Sequence, residues 1–275
     1  MGSYKTALTT AVADGDERQV RDLVRSIRGK AVINAPRADG RTPLGIAVEN
    51  RDCRMVEILV NAGADINKPC PVTALMQATV SRDEDMVEML IYLKADVNFG
   101  VDFDAAVSGP DFDDDIWLGE GHDGGTPFAL AARVGDLKIA KVLLSRGADP
   151  NGRPELGQAR TALYEAASWG HVEHVKMLLM IPGIEVDAGD SENPPESPLD
   201  IALCNTWGAV NSDDQESIVR SLIQAGADVW GVNDGGLARY HPKLAMMVRQ
   251  QMQKEMAHDR KIYNDRMRFF SGQGI

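Results

Sequence analysis

The sequence predicts an all-α solenoid, and three observations carry that expectation. A hydroxyl residue is followed five positions later by alanine six times, at Thr6/Ala11, Thr42/Ala47, Thr73/Ala78, Thr126/Ala131, Thr161/Ala166 and Ser197/Ala202. Between them always lies a large apolar residue: Leu8, Leu44, Leu75, Phe128, Leu163 or Leu199. After each group comes an apolar pair, Leu23-Val24, Leu59-Val60, Leu90-Ile91, Leu143-Leu144, Leu178-Leu179 or Leu222-Ile223. A register held this way is one supersecondary unit copied along the chain, and stacked copies build an extended binding surface.

Within a unit, Pro43, Pro127 and Pro198 directly follow the hydroxyl residue. That order fits a Thr or Ser N-cap with Pro at the first helical position, where its missing amide has no intrahelical partner. The repeated Ala lets neighbouring helices approach closely, and the apolar pair marks a second helix. Units close with Gly63-Ala64-Asp65-Ile66-Asn67, Lys94-Ala95-Asp96-Val97-Asn98, Gly147-Ala148-Asp149-Pro150-Asn151 and Gly226-Ala227-Asp228-Val229-Trp230. Glycine suits the left-handed helix end, and Asp or Asn stabilises the turn behind it. Val32-Ile33-Asn34 and Ile184-Glu185-Val186-Asp187 read as degenerate versions of the same ending.

These motifs resemble the ankyrin repeat family, best at Gly40-Arg41-Thr42-Pro43-Leu44, at Gly125-Thr126-Pro127-Phe128-Ala129-Leu130-Ala131-Ala132 and in the Gly-Ala-Asp-x-Asn endings. The anchors are spaced 36, 31, 35 and 36 residues apart, with one interval of 53 that contains an insertion. The resemblance implies helix-pair repeats at about 3–34, 40–68, 71–99, 124–152, 159–188 and 195–232, forming an array over 3–235. The first repeat begins almost at Met1 and is expected to cap the array. Residues 236–275 form a C-terminal capping and extended basic helix. The family's His after Thr-Pro-Leu is replaced here by Thr9, Gly45, Met76, Ala129, Tyr164 and Asp200, which implies a weaker polar network at the start of each first helix. In similar proteins asparaginyl hydroxylases modify the hairpin asparagine, matched here by Asn67, Asn98 and Asn151.

Composition narrows the partner. The net charge of −12 argues against a nucleic-acid backbone, which needs a basic surface. The charge is uneven: eight Lys/Arg and three Asp/Glu between Arg239 and Arg268 make a local +5 and leave −17 on the rest. Three separated cysteines, Cys53, Cys70 and Cys204, match no metal or redox spacing and fit a reducing compartment. No apolar run approaches a membrane span and no signal-peptide core opens the chain, so a cytoplasmic or nuclear location is expected.

Two segments break the period. Residues 101–123 hold eight acidic residues, no Lys or Arg, and the apolar Phe103, Phe112, Ile116 and Trp117. A loop of that length is expected to be functional or disordered, and family geometry would hang it over the concave face. The second, near Thr206 to Asp214, carries Trp207. Beyond Pro242 a helix is expected to about Phe270, with Leu244, Val248, Met252, Met256, Tyr263, Met267 and Phe270 at spacings of three, four and seven. Its first turns, 241–252, seal the last repeat. The remainder suits a partner's acidic groove or the chain's own acidic surface.

Catalytic and metal readings find little support. Asp111 to Asp115 invites calcium, yet in EF-hand register position six would be Ile116 instead of Gly and position twelve His122 instead of Glu. His171 and His174 are three apart, but Gly170-His171 is the family's ordinary opening of a second helix, and no third ligand is evident. Met1 to Thr6 formally fits N-myristoylation, though Thr6 is already explained as an anchor. No nucleophile elbow or phosphate-binding loop appears, and no cofactor or metal is expected.

The reading is therefore a non-enzymatic interaction module, a scaffold, adaptor or regulatory subunit gripping a protein or peptide on its concave face. Candidate contacts are Arg133, Tyr164, Ser168 and Trp169 on the fourth and fifth repeats, with Trp117, Trp207, Asp113, Asp114 and Asp115 on the insertions. Aromatic and Arg side chains dominate binding hot spots, and the acidic loop favours a basic partner surface. The C-terminal helix is expected to contact a second partner. The alternatives are an unusual enzyme or small-molecule binder with a site between groove and loop 101–123, and a structural subunit of a large assembly.

Overall fold

The computed structural model describes residues 2–37, 40–70, 72–101, 125–153, 160–189, 197–204, 212–229 and 242–270, with backbone alone at 2–3, 27–29, 212, 242, 259 and 262–270. Helices succeed one another in pairs: α1 (Gly2–Ala13) with α2 (Glu17–Arg25) and the short α3 (Ile27–Val32); α4 (Pro43–Glu49) with α5 (Cys53–Asn61); α6 (Ala74–Val80) with α7 (Glu84–Tyr92). There follow α8 (Pro127–Val134) with α9 (Leu137–Ser145), α10 (Ala162–Ser168) with α11 (Val172–Leu179), α12 (Pro198–Cys204) with α13 (Ser212–Gln224), and a final α14 (Pro242–Phe270). First helices stack in the order α1, α4, α6, α8, α10, α12, and second helices meet behind them at α2–α5, α7–α9 and α11–α13. Among the described residues the fold is all-α, an ankyrin-repeat solenoid, and the one β feature is an isolated bridge between Val101 and Gly125.

The recurrent residues form these elements for local reasons. Thr42, Thr73, Thr126 and Thr161 cap α4, α6, α8 and α10, each Oγ1 accepting from the amide three residues on at 3.1–3.3 Å. Ser197 and Asp200 cap α12 reciprocally: Ser197 Oγ accepts from Asp200 N at 3.1 Å, and Asp200 Oδ2 accepts from Ser197 N at 3.0 Å. That is a capping box with Asp in the usual Glu or Gln place. Thr6 behaves otherwise. It lies inside α1, which starts at Gly2, so the first unit has no hydroxyl cap there, and an extra short helix, α3, runs into the degenerate ending at Val32-Ile33-Asn34. The second helices carry their own caps, Asp16, Asp52, Asp83 and Asp136, accepting from Gln19, Met55, Met86 and Ile139 amides at 2.9–3.1 Å.

The core runs the length of the stack. The apolar anchors Leu8, Leu44, Leu75, Phe128, Leu163 and Leu199 and the alanines five after each hydroxyl are all within 4% of complete burial. Along the hairpin edge, a side-chain ladder ties each repeat to the next. Asn34 Oδ1 accepts from Asp65 N at 2.8 Å, Asn67 from Asp96 N at 2.8 Å, Asn98 from Asp149 N at 2.8 Å, and Asn151 from Glu185 N at 3.0 Å. Asp187 completes the series with Asp228 N at 2.8 Å. The Asn98 rung crosses the long insertion, whose base is clamped by reciprocal Val101 and Gly125 backbone bonds at 3.0 and 2.9 Å. The stack therefore passes the insertion uninterrupted.

At the far end, Leu244, Ala245 and Val248 of α14 are buried and α14 packs on α13. Lys243 pairs with Glu216 of α13, which Arg220 also contacts at 2.6 Å. Hydrogen bonds from Lys243 and Arg220 hold the Glu216 carboxyl below its ordinary range.

Candidate interaction surface on the fourth and fifth repeats

Four of the candidate contacts fall on α8 and α10 and the turn after α10. Arg133 lies in the last turn of α8, Tyr164 in the first turn of α10, Ser168 at its end, and Trp169 is its C-cap. The Arg133 guanidinium sits over the Trp169 ring, 5.5 Å from the centroid, although it belongs to the preceding repeat. Trp169 remains 41% exposed while Arg133 is 7% exposed. A guanidinium over an indole is held by the ring quadrupole and is more weakly hydrated than an ammonium, so it tolerates burial there.

Tyr164 departs from its expected place on the surface. Its side chain is 1% exposed, and Arg160 lies over the ring at 5.1 Å. It stands where the family has histidine, and its larger ring fills the core beside Leu163 instead of reaching a partner. Ser168 is half-buried beside Trp169. Trp117, Trp207, Asp113, Asp114 and Asp115 lie outside the described residues.

The residue that holds this corner was assigned only an ordinary structural role by its sequence. His171 occupies the cap position of α11 but makes no side-chain cap bond. Its Nε2 lies 2.9 Å from the Arg133 carbonyl oxygen. A carbonyl only accepts, so Nε2 carries the proton and donates. Gly135, with φ +75°, gives the ring its room: a Cβ there would stand 2.6 Å from His171 Cε1. One imidazole thus joins the backbone of the fourth repeat to the fifth at Arg133, the residue whose guanidinium stacks on Trp169. His174, 2% exposed, lies 5.7 Å from it centroid to centroid, and its Nε2 has no hydrogen-bond partner. Burial pushes both imidazole pKa values down, with Arg82 adding repulsion at His171 and His171 adding it at His174. Among the described residues no three His, Cys, Asp or Glu side chains gather in a metal-ligand cluster.

Stacked helix pairs, hydroxyl-capped at every first helix after α1 and laced by a hairpin ladder from Asn34 to Asp187, define a repeat protein of the ankyrin class. The chain belongs to the ankyrin-repeat family: the profile of ankyrin repeats in three copies matches residues 8–100 and 105–190. A protein of Plasmodium falciparum (isolate 3D7) named as an E3 ubiquitin-protein ligase is 29% identical over 141 residues, 50% of this chain and 1% of that protein. An ankyrin repeat protein of Fowlpox virus (strain NVSL) is 28% identical over 163 residues, 58% of this chain and 32% of the viral one. The matches thus span under a third of these relatives. The crystal structure of the ankyrin repeat domain of Bcl-3, a member of the IkappaB protein family, superposes with a TM-score of 0.59 at 23% identity, covering 81% of this chain and 87% of that one. Ankyrin repeats are protein–protein interaction modules, and no helix among the described residues is long and apolar enough to cross a membrane.

Proposed function

We propose that this chain is a non-enzymatic scaffold, adaptor or regulatory subunit that binds a protein or peptide on its concave face, with Trp169 at the centre of the contact. The observation that carries this reading is the Arg133–Trp169 stack. A large ring is left 41% exposed, yet it is oriented by a guanidinium from the neighbouring repeat. A rigid, half-exposed aromatic loses little entropy when a partner covers it, and Trp and Arg supply most binding hot spots. Tyr164 supports the patch from within the core, Ser168 lines its edge, and the acidic residues of 101–123 favour a partner with a basic surface. On this reading the chain acts in the cytoplasm or nucleus, and its net charge of −12 disfavours a nucleic-acid partner.

The test is affinity capture on the immobilised full chain followed by mass spectrometry, comparing wild type with Trp169→Ala and with Met180→Ala, whose side chain is 84% exposed at the end of a second helix. Trp169→Ala is expected to weaken the principal partner about tenfold or more, as truncating a hot spot does, while Met180→Ala leaves it unchanged. Equal retention by all three proteins would remove the concave patch from consideration.

A further inference from the structure

The outward faces of four consecutive second helices, α5, α7, α9 and α11, carry charge in a fixed order. Two residues after each cap position stand Arg54, Asp85, Lys138 and Glu173, and five after it Glu57, Glu88, Lys141 and Lys176. All of them are exposed, because the residues between them, Met86 and Val87 on α7 for example, turn inward to the core. Along the stack the first row alternates from positive to negative, and the second runs from two acids to two bases. Each row changes sign when it is reversed about the junction of α7 and α9. The stack keeps its register there, since the Asn98 rung spans that junction.

We propose that this outer face is a self-association surface, on which two copies of the chain meet about a two-fold axis parallel to the helices and between α7 and α9. That operation lays α7 of one copy on α9 of the other, and α5 on α11, with equal heights opposed. Asp85 then faces Lys138, Glu88 faces Lys141, Arg54 faces Glu173 and Glu57 faces Lys176, each pairing made twice by symmetry. Around the axis Glu88 and Lys141 of the two copies form a square of alternating sign. One turn further along, Tyr92, a large side chain left 77% exposed on α7, comes opposite the small Ser145 of α9.

The charge pattern selects a second copy as the occupant. Each row finds its complement in its own reversal, whereas a partner of uniform sign would be repelled by half of the face. It also selects the axis. The other face-to-face two-fold, along the stack, would lay α7 on α7 and α9 on α9, acid on acid and base on base. The side chains are available for the contact: among the described residues Glu57, Asp85, Glu88 and Lys141 make no ion pair, and Lys138 and Lys176 make only exposed ones, with Glu84 at 3.1 Å and Glu173 at 2.9 Å. A curved solenoid presents its back to a copy first at the middle of the array, and in six helix pairs the middle is the junction of the third and fourth. The contact is isologous, so it closes at two copies.

The experiment is sedimentation velocity on the full chain over a concentration series, with Glu88→Lys, Lys141→Glu and an equimolar mixture of the two variants alongside wild type. Circular dichroism checks that each exposed substitution leaves the helices intact. Wild type is expected to be a weak dimer in reversible equilibrium that dissociates as salt is raised, since exposed ion pairs are individually small and screened. Each variant brings like charges together at two symmetry-related places and is expected to weaken self-association about tenfold. The mixture is expected to recover the dimer, because a mixed pair again sets a lysine against a glutamate at both places. A wild type that is monomeric at every concentration would overturn the proposal. So would single variants that dimerise as well as wild type, or a mixture no more associated than its two components.

Discussion

Gly135 and His171 show how one residue-scale choice links two repeats. The imidazole can reach the Arg133 carbonyl because the turn before α9 has no Cβ in its way. At the matching turns of the second and third repeats, Arg51 and Arg82 adopt φ +54° and +53°, so the left-handed turn is kept where glycine is not. Arg82 uses its length to reach the Val134 carbonyl of the next repeat, doing with a guanidinium what His171 does with an imidazole. The two imidazoles also set a pH dependence. Their folded-state pKa values lie below the ordinary 6.5, so the unfolded chain takes up protons first as the medium acidifies. Their contribution to stability is complete above about pH 6.5 and is lost as pH falls from there through the lower folded values. Urea melts at stepped pH are expected to show this decline, and His174→Leu, which leaves nothing to protonate at the more buried site, to make it shallower. An unchanged slope in that variant would mean that other groups govern the acid limb.

At the scale of the element, the bridge at Val101 and Gly125 decides how the long insertion sits in the fold. Two reciprocal backbone bonds bring the ends of 102–124 together, while Asn98 reaches Asp149 and Arg82 reaches Val134 across the same gap. Beneath the bridge lies a small apolar cluster of Val72, Met76, Val101 and Leu130, joined by Val80 and Phe99. The third and fourth repeats are thus coupled by contacts that do not involve the inserted residues. Replacing 102–124 with a two-residue Asn-Gly turn, which suits an antiparallel pair, is expected to leave the helical circular dichroism and the midpoint of thermal unfolding nearly unchanged. A fall of more than about 10 °C would show that the insertion contributes to the core, since for an array of this size roughly 2–4 °C corresponds to 1 kcal/mol.

Over the whole molecule, stability is shared along a line. Each repeat touches its neighbours, so the array behaves as a chain of coupled units whose cooperativity depends on the interfaces. The asparagine ladder runs through every junction from Asn34 to Asp187, and Asn98 is its middle rung, also donating to the Gly147 carbonyl at 3.1 Å. Asn98→Ala removes the acceptor of the Asp149 amide and is expected to cost about 1–2 kcal/mol, the value of a lost side-chain to backbone bond. Because the loss falls between two halves, urea unfolding is expected to broaden or to separate into two steps by fluorescence and circular dichroism. A single transition of unchanged steepness would mean that helix packing alone carries the coupling.

The repeat itself was legible because helix pairing writes a period into the chain: Thr126, Ala131 and Leu143 recur as Thr161, Ala166 and Leu178, and all of them are core or cap. The second-helix caps were also there to be read, in Gly15-Asp16, Arg51-Asp52, Arg82-Asp83 and Gly135-Asp136, a copied pair whose last member becomes Gly170-His171. What periodicity could not supply was the direction and depth of individual side chains. Tyr164 and Trp169 are five residues apart on one short helix and its cap, yet one is sealed in the core and the other faces solvent, because burial depends on the neighbouring repeat. The Arg133–Trp169 stack and the His171 bond join residues 36 and 38 positions apart in the chain. Sequence alone therefore determined the unit and its repetition, which are local, helical and periodic. Only the tertiary structure decided which surface those units share, since that surface exists only once two repeats are stacked.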